Sequence, residues 1–281
     1  MLSDTKKYPK SVQLLFLGSL LLSLGRAISL PFLVVYLSSS FKLQVSDIGM
    51  IVGGSLMLGS LLSLYGGHVA DRLSSFKLIL VYTALFCCGF AGMCMSRNLW
   101  IFFIFLVTFN FAYSAIDVVI KTAFGRLLPA QEQSRAFSIR YTLINISHAV
   151  GPFAGAWLAQ VELKLPFVIA AMLGASFFLI YYRHGDRNLT PIELGGVHSS
   201  FVSVGRILIS DHRLILFTIG GILNAVVFGQ FTAYLSQYLV TTNSAEFSYH
   251  VISTILTVNA VVVVSLQYVV GQRIQDRHLE A

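Results

Sequence analysis

Residues 14–38 read LLFLGSLLLSLGRAISLPFLVVYLS, and Arg26 is the one charged side chain among them. The hydrocarbon core of a bilayer is about 30 Å thick, so a helix needs about 20 mostly apolar residues to span it. This stretch exceeds that length. It predicts a transmembrane helix that carries a single cation close to its middle.

Seven further apolar runs of spanning length follow the first. They are Ile48–Gly66, Leu78–Met95, Leu99–Thr122, Phe137–Gln160, Leu165–Tyr182, Leu214–Val240 and Phe247–Val270. Only helices and closed barrels satisfy the backbone inside lipid, and barrel strands are shorter and alternate in polarity. These runs are longer than barrel strands and do not alternate in polarity. The sequence therefore predicts an all-α, polytopic membrane helical bundle of eight spans.

The composition agrees with a membrane protein and argues against other classes. Of the 281 residues, 56% are hydrophobic and 11% charged, whereas soluble proteins carry about 25% charged residues. The net charge of +7 comes from basic residues between the runs, so we expect a lipid bilayer and no nucleic acid as partner. The sequence contains no G-x-x-x-x-G-K-[ST] loop, metal-ligand spacing or catalytic constellation, so we expect no cofactor, no use of ATP and no enzyme activity.

The basic residues also predict the orientation. With the N-terminus inside, 15 of the 19 lysines and arginines fall on the cytoplasmic side, 3 fall outside (Lys42, Arg97 and Lys164), and Arg26 lies within the first run. Basic segments are retained in the cytoplasm during insertion. We therefore predict a multi-pass protein of the cell inner membrane with both termini in the cytoplasm.

The eight runs divide into six and two. The inward segment 183–213 is the longest, and its part Ser199–Ser210 predicts an amphipathic helix on the inner membrane face. Tyr36-Leu37-Ser38 in the first run recurs as Tyr234-Leu235-Ser236 in the seventh, which indicates a weak repeat. We expect a six-helix half over residues 1–182, a cytoplasmic linker over 183–213, and an incomplete second half of two spans over 214–281.

Two sets of residues carry a family pattern. Gly67-His68-Val69-Ala70-Asp71-Arg72 follows the second run, and Ser147, Gly151-Pro152 and Gly155-Ala156 lie in the fifth. With Leu24-Gly25-Arg26, they make the chain resemble the major facilitator superfamily, and within it the twelve-span, proton-coupled exporters of drugs and dipeptides. The resemblance implies alternating access, a small-molecule or dipeptide substrate, and protons as the coupling ion. It also implies that the chain stops after the eighth of twelve spans.

Each signature implies a moving part. In the first signature, Gly67, Asp71 and Arg72 imply a latch of the outward-facing state, although Ser75 stands where the family pattern has arginine. In the second, small residues at Gly151 and Gly155 let helices pack closely and Pro152 bends one of them, which in the family favours export over import. Plain helix packing is the alternative interpretation of the second signature.

Charged residues inside lipid are costly, so they indicate either function or pairing. Arg26 predicts a cavity site for a substrate carboxylate, or else a buried structural pair. Asp117 and Lys121 lie four residues apart on one helix face, which predicts a proton or gating site, or a static pair near the Asp71–Arg72 turn. His148 predicts a proton relay or a hydrogen-bonded structural residue.

Other polar side chains in the runs either line a cavity or join helices. They are Asn110, Tyr113, Asn145, Asn224, Gln230 and Asn259. Together the features favour secondary active export of small amphipathic compounds or short peptides. A truncated, non-transporting fragment is one alternative, and a membrane enzyme built on Asp117 and His148 is another.

Overall fold

A computed structural model describes most of the first two thirds of the chain. It covers residue 5, residues 7–70, 73–187, 189 and 209–223, and the positions 251, 254, 255, 258, 259, 262 and 266. In this part of the chain all regular secondary structure is helical. Six long helices follow one another as α1 (Lys10–Phe41), α2 (Val45–Ala70), α3 (Ser75–Met95), α4 (Leu99–Leu127), α5 (Ala130–Val161) and α6 (Leu165–His184). The prediction of an all-α helical bundle is confirmed.

Each of the first six apolar runs lies inside one of these helices. Five of the helices are long and apolar enough to cross a membrane, namely α1, α2 over Ser46–Gly66, α3, α4 and α6. The exception is α5, whose first turns are polar and contain Glu132 and Arg135. Its apolar part, Phe137–Gln160, begins two turns into the helix and includes Arg140, Asn145 and His148, so α5 is less apolar than the other five helices although a predicted run lies within it.

The later predictions are covered only in part. Of the predicted span Leu214–Val240, residues 214–223 lie in the helix His212–Leu223, whose first amide groups are capped by Asp211. The rest of that span, most of Phe247–Val270 and nearly all of the amphipathic segment Ser199–Ser210 lie outside the described residues. The six long helices fall in one compact unit, and His212–Leu223 falls in another.

Within the first unit, α1 and α4 make most of the connections. The main contacts join α1 to α5 and α6, α4 to α2 and α3, and α3 to α6, whereas α4 and α5 have little direct contact. Between α3 and α4 the rings of Phe86, Phe90 and Phe109 pack together, with 4.4 Å between the centroids of Phe90 and Phe109. The packing therefore leaves α4 and α5 apart although they are consecutive in the chain.

Candidate functional site

A cavity of about 530 Å³ opens between α4 and α5. Its wall is made by side chains of these two helices: Tyr113, Asp117, Lys121, Phe137, Ser138, Arg140, Tyr141 and Ile144. Polar and charged groups lie beside aromatic and aliphatic ones on this wall. Such a mixture suits an amphipathic small molecule, because ligand cavities combine apolar walls with a few fixed polar groups.

The charged residues of the cavity form one connected group centred on Asp117. Its Oδ2 lies 2.7 Å from Nζ of Lys121, one helical turn further along α4. Its Oδ1 accepts a short hydrogen bond from Nη2 of Arg140, across the cavity on α5. Nε of Arg140 donates to Oγ of Ser19 on α1 at 2.9 Å. Three helices are therefore joined through one carboxylate and one guanidinium.

Asp117 and Arg140 come together because they lie equally far from the turn that joins α4 to α5. Asp117 lies ten residues before α4 ends, and Arg140 lies ten residues after α5 begins. Because α4 and α5 run in opposite directions from a short turn, the two residues stand at the same depth, about 15 Å from that turn at 1.5 Å per residue. The charge group therefore lies inside the helical layer and not at its edge.

Arg26 occupies a separate position on α1 next to the cavity. Its guanidinium carbon lies 4.5 Å from the ring centroid of Tyr113, which also lines the cavity. The Tyr113 hydroxyl shares a hydrogen bond of 3.1 Å with Oγ of Ser23, one turn before Arg26. Among the described residues, Arg26 makes no ion pair, so the alternative of a structural pair with a carboxylate finds no support there.

The remaining predicted polar residues lie at different places. Asn110 is buried, and its amide donates to Oγ of Ser55 on α2 and to the Leu106 carbonyl, both at 3.1 Å, so it joins α4 to α2. Asn145 donates to the Tyr141 carbonyl of its own helix at 2.9 Å. His148 is exposed on α5 and lies within the electrostatic range of Arg26. Neither Asn110 nor His148 is part of the cavity wall.

The small residues of the fifth run lie where α5 meets α1. A Cβ atom at Gly151 would collide with Cβ of Ala27 and lie 2.8 Å from its carbonyl carbon, and one at Gly155 would collide with the Ile28 carbonyl. Pro152 lies between the two glycines on α5, while Pro31 interrupts α1. Only glycine permits this backbone approach, so these positions form a close seam between the two helices.

The two prolines at this seam each remove one backbone hydrogen bond. A proline inside a helix lacks the N–H that would bond the carbonyl four residues earlier. Pro31 therefore leaves the carbonyl of Ala27 without its helical partner, and Pro152 leaves that of His148. Ala27 is the residue that Gly151 touches. Both helices are thus weakened at the level where they are in closest contact.

Only part of the first signature lies among the described residues. Gly67 lies in the last turn of α2, whereas Asp71 and Arg72 lie outside the described residues. Ser75, at the position where the family pattern has arginine, is buried and its Oγ accepts a hydrogen bond of 3.0 Å from Nη1 of Arg126 on α4. A cation from α4 therefore reaches the place that the missing side chain would occupy.

Arg140 is the site residue that the sequence did not single out. The orientation count assigned it to a cytoplasmic segment, but it is only 7% exposed and lies between helices. Position 140 falls inside the apolar run Phe137–Gln160, so Arg140 is a second arginine within the predicted spans. The same reasoning that selected Arg26 could have selected it.

Comparisons with known proteins agree with this architecture. The sequence profile of the Major Facilitator Superfamily matches residues 15–279. The MFS-type transporter YdeE of Escherichia coli is 33% identical over 275 residues, which cover 97% of this chain and 68% of that protein. The quinolone resistance protein NorA of Staphylococcus aureus is 24% identical over 171 residues, which cover 61% of this chain and 44% of that protein.

A solved structure shows the same fold. The human organic anion transporter MFSD10 superimposes with a TM-score of 0.68 at 16% identity, over 95% of this chain and 73% of that one. At this identity the likeness concerns the fold alone. The profile match over nearly the whole chain and the identity to YdeE go further, and they confirm the resemblance to the major facilitator superfamily. This chain is a multi-pass membrane protein that belongs to the Major Facilitator Superfamily of transporters.

Proposed function

We propose that this protein is a secondary active transporter that exports small amphipathic compounds or short peptides, with protons as the driving ion. The helices α1–α6 form one half of the transporter, and residues 183–213 connect it to a second half. The protein lies in the cell inner membrane with its N-terminus in the cytoplasm. Arg26, Lys121 and Arg140 lie inside the runs, and the other 16 of the 19 lysines and arginines divide into 13 inner and 3 outer residues, which supports this orientation. The relative NorA, named for quinolone resistance, supports export as the direction.

The observation that carries the proposal is the charge group in the cavity between α4 and α5. Charged side chains at membrane depth are kept where they face water, a solute or a charged partner. The side chains of Lys121 and Asp117 are 53% and 30% exposed, whereas that of Arg140 is 9% exposed. One side of the group is therefore held by packing, and the other is open to whatever enters the cavity.

Asp117 is the group that would couple protons to transport. It is a carboxylate shared between two cations, so protonation would release both Lys121 and Arg140 at once. Because Arg140 also holds Ser19 of α1, that release would loosen the connection between α1, α4 and α5. A proton that binds better in one state than in the other shifts the equilibrium between the two states.

The seam between α1 and α5 supplies a place where the bundle can bend. Proline in each helix removes one backbone hydrogen bond close to the glycine contact, so bending there costs less than elsewhere in the two helices. Alternating access requires rigid elements that rock around a site near the midplane. The seam and the charge group both involve α5, which makes this helix the mobile element of the proposal.

The test is transport in proteoliposomes with an imposed pH gradient. Vesicles with an acidic interior are given a fluorescent quinolone or a labelled dipeptide, and we expect gradient-dependent accumulation that a protonophore abolishes. Asp117→Asn is expected to abolish the dependence on the gradient, whereas Asp47→Asn, the same change in the first turn of α2, is expected to leave it intact. Absence of gradient-dependent accumulation for every probe would refute the proposal.

A further inference from the structure

The apolar runs of this chain contain more positive than negative charge. In the eight runs between Leu14 and Val270, Asp117 is the one aspartate or glutamate, whereas the lysines and arginines are Arg26, Lys121 and Arg140. Asp117 is already engaged with two of these three cations. The third, Arg26, therefore has no carboxylate available inside the runs, and the runs together carry a net charge of +2.

Among the described residues, the contacts of Arg26 leave its hydrogen-bond donors open. The guanidinium lies over the ring of Tyr113, with 4.5 Å between its carbon and the ring centroid. An aromatic face attracts a cation but accepts no conventional hydrogen bond, and a guanidinium has five N–H donors in its plane. Within the described part of the chain no oxygen accepts any of them. A charge left in this condition inside a bilayer is costly unless a ligand completes it.

The position of Arg26 connects these open donors to the cavity. Arg26 lies near the centre of α1, sixteen residues after Lys10 and fifteen before Phe41. The ring beneath it belongs to Tyr113, which is part of the cavity wall, and a hydrogen bond to Ser23 holds that ring in place. Arg26 therefore lies one aromatic ring away from the cavity, as an oriented cation without a hydrogen-bond acceptor among the described residues.

We propose that Arg26 binds a carboxylate of the transported solute, so that the substrates are organic monoanions with an apolar body. This inference rests on the proposed transport function and names its substrate class. A carboxylate matches the planar fork of arginine with two parallel hydrogen bonds. The apolar body would lie against Phe137, Tyr141 and Ile144 on the cavity wall.

The test compares acids with their own amides, which differ in one negative charge. Binding of benzoate, 4-phenylbutyrate and N-acetyl-Phe-Ala, and of the three corresponding primary amides, is measured by calorimetry on the purified protein in detergent. In at least one pair the acid is expected to bind at least about ten-fold more tightly than the amide, because a charge-assisted hydrogen bond to arginine is then gained.

Substitutions then test whether Arg26 causes the preference for the acid. Arg26→Gln is expected to reduce it to less than about three-fold, and Arg26→Lys, which keeps the charge but not the planar fork, to reduce it partly. Arg97→Gln removes an exposed arginine outside the helices and is expected to change nothing. Size-exclusion chromatography and thermal unfolding check that each variant is folded, and Arg26→Lys carries the test if Arg26→Gln does not fold.

Three results would overturn the inference. The first is that no acid binds more tightly than its amide. The second is an acid preference that keeps its full strength in Arg26→Gln or in Arg26→Lys, and the third is a preference that only Lys121→Gln removes. Binding in detergent needs neither a gradient nor flux. An intact preference at Arg26 without transport would therefore refute the proposed function alone, and transport without any preference would refute this inference alone.

Discussion

Oδ1 of Asp117 on α4 accepts a hydrogen bond from Nη2 of Arg140 on α5, and this pair bridges two helices that otherwise have little direct contact. The carboxylate has a second cation, Lys121, whereas the guanidinium has no second carboxylate among the described residues. The two partners therefore depend on each other unequally. Removing the negative charge leaves a buried arginine uncompensated, and removing the arginine leaves an aspartate that is still paired.

This asymmetry gives the first prediction. Asp117→Asn is expected to lower the thermal unfolding temperature of the purified protein more than Arg140→Gln does, with a cost of about 1–3 kcal/mol for an unpaired charge in a partly open site. Combining both changes should cost less than the sum of the two. Differential scanning fluorimetry of the four proteins measures this, and strict additivity would show that the two side chains are not coupled.

The second prediction concerns the glycine seam. Gly151→Ala is expected to lower stability by about 1–3 kcal/mol and to reduce transport, because the added methyl group forces α1 and α5 apart. Gly125→Ala is the matched control: no atom lies within 4 Å of the position its Cβ would take, so it should be neutral or stabilising. Thermal unfolding and proteoliposome flux are compared for both. Equal behaviour of the two variants would contradict the close packing at Gly151.

The third prediction separates the two contacts of Tyr113. Tyr113→Phe keeps the ring beneath Arg26 and loses the hydrogen bond to Ser23, whereas Tyr113→Leu loses both. The binding preference for acids over amides should therefore fall slightly in the first variant and more strongly in the second, since a cation–π contact contributes about 0.5–2 kcal/mol. The calorimetric comparison described above provides the measurement. A larger effect of Tyr113→Phe would mean that the hydroxyl, and not the ring, positions the arginine.

The fourth prediction treats Asn110 as a structural residue. Because its amide bonds Ser55 across the contact of α2 and α4, Asn110→Ala is expected to lower the unfolding temperature without changing the choice between acids and amides. Hydrogen bonds between membrane helices contribute about 0.6 kcal/mol on average. A double-mutant cycle with Ser55→Ala measures the coupling. A change in ligand preference in the single variant would place Asn110 in the binding site instead.

The fold was largely predictable from the sequence because bilayer thickness fixes the length of a span. All six described long helices contain a run selected on that basis, and their ends differ mainly where a helix continues beyond its apolar run, as at residues 130–136 of α5. The pairing of helices was not predictable. Contacts such as Gly151 against Ala27 join segments more than a hundred residues apart, and apolar faces in lipid have no periodic polarity that identifies their partners.

The site was predictable only in its charged residues. Asp117, Lys121 and Arg26 were selected because a charge in lipid needs a reason, and the structure brings the first two together and places the third beside the same cavity. Counting basic residues by side places Arg140 among the cytoplasmic segments, which hides its position inside the fifth run. Asn110 and Tyr113 carried the same signal in the sequence, yet one joins helices and the other lines the cavity. Only the rotation of α4 about its axis distinguishes them.

The central claim is that the cavity between α4 and α5 is a transport path that opens to each side of the membrane in turn. The most direct measurement is labelling with a membrane-impermeant thiol reagent of a cysteine placed at Ser138 on the cavity wall, after Cys87, Cys88 and Cys94 have been replaced by serine. A cysteine at the fully buried Ser29 of α1 and one at the exposed Arg97 serve as controls.

Right-side-out and inside-out vesicles are labelled in parallel, with and without a bound acid. We predict that the cysteine at position 138 reacts from both sides, that the acid protects it, that position 97 reacts from one side only, and that position 29 reacts from neither. Reaction at position 138 from a single side under every gradient, or from none, would contradict the account.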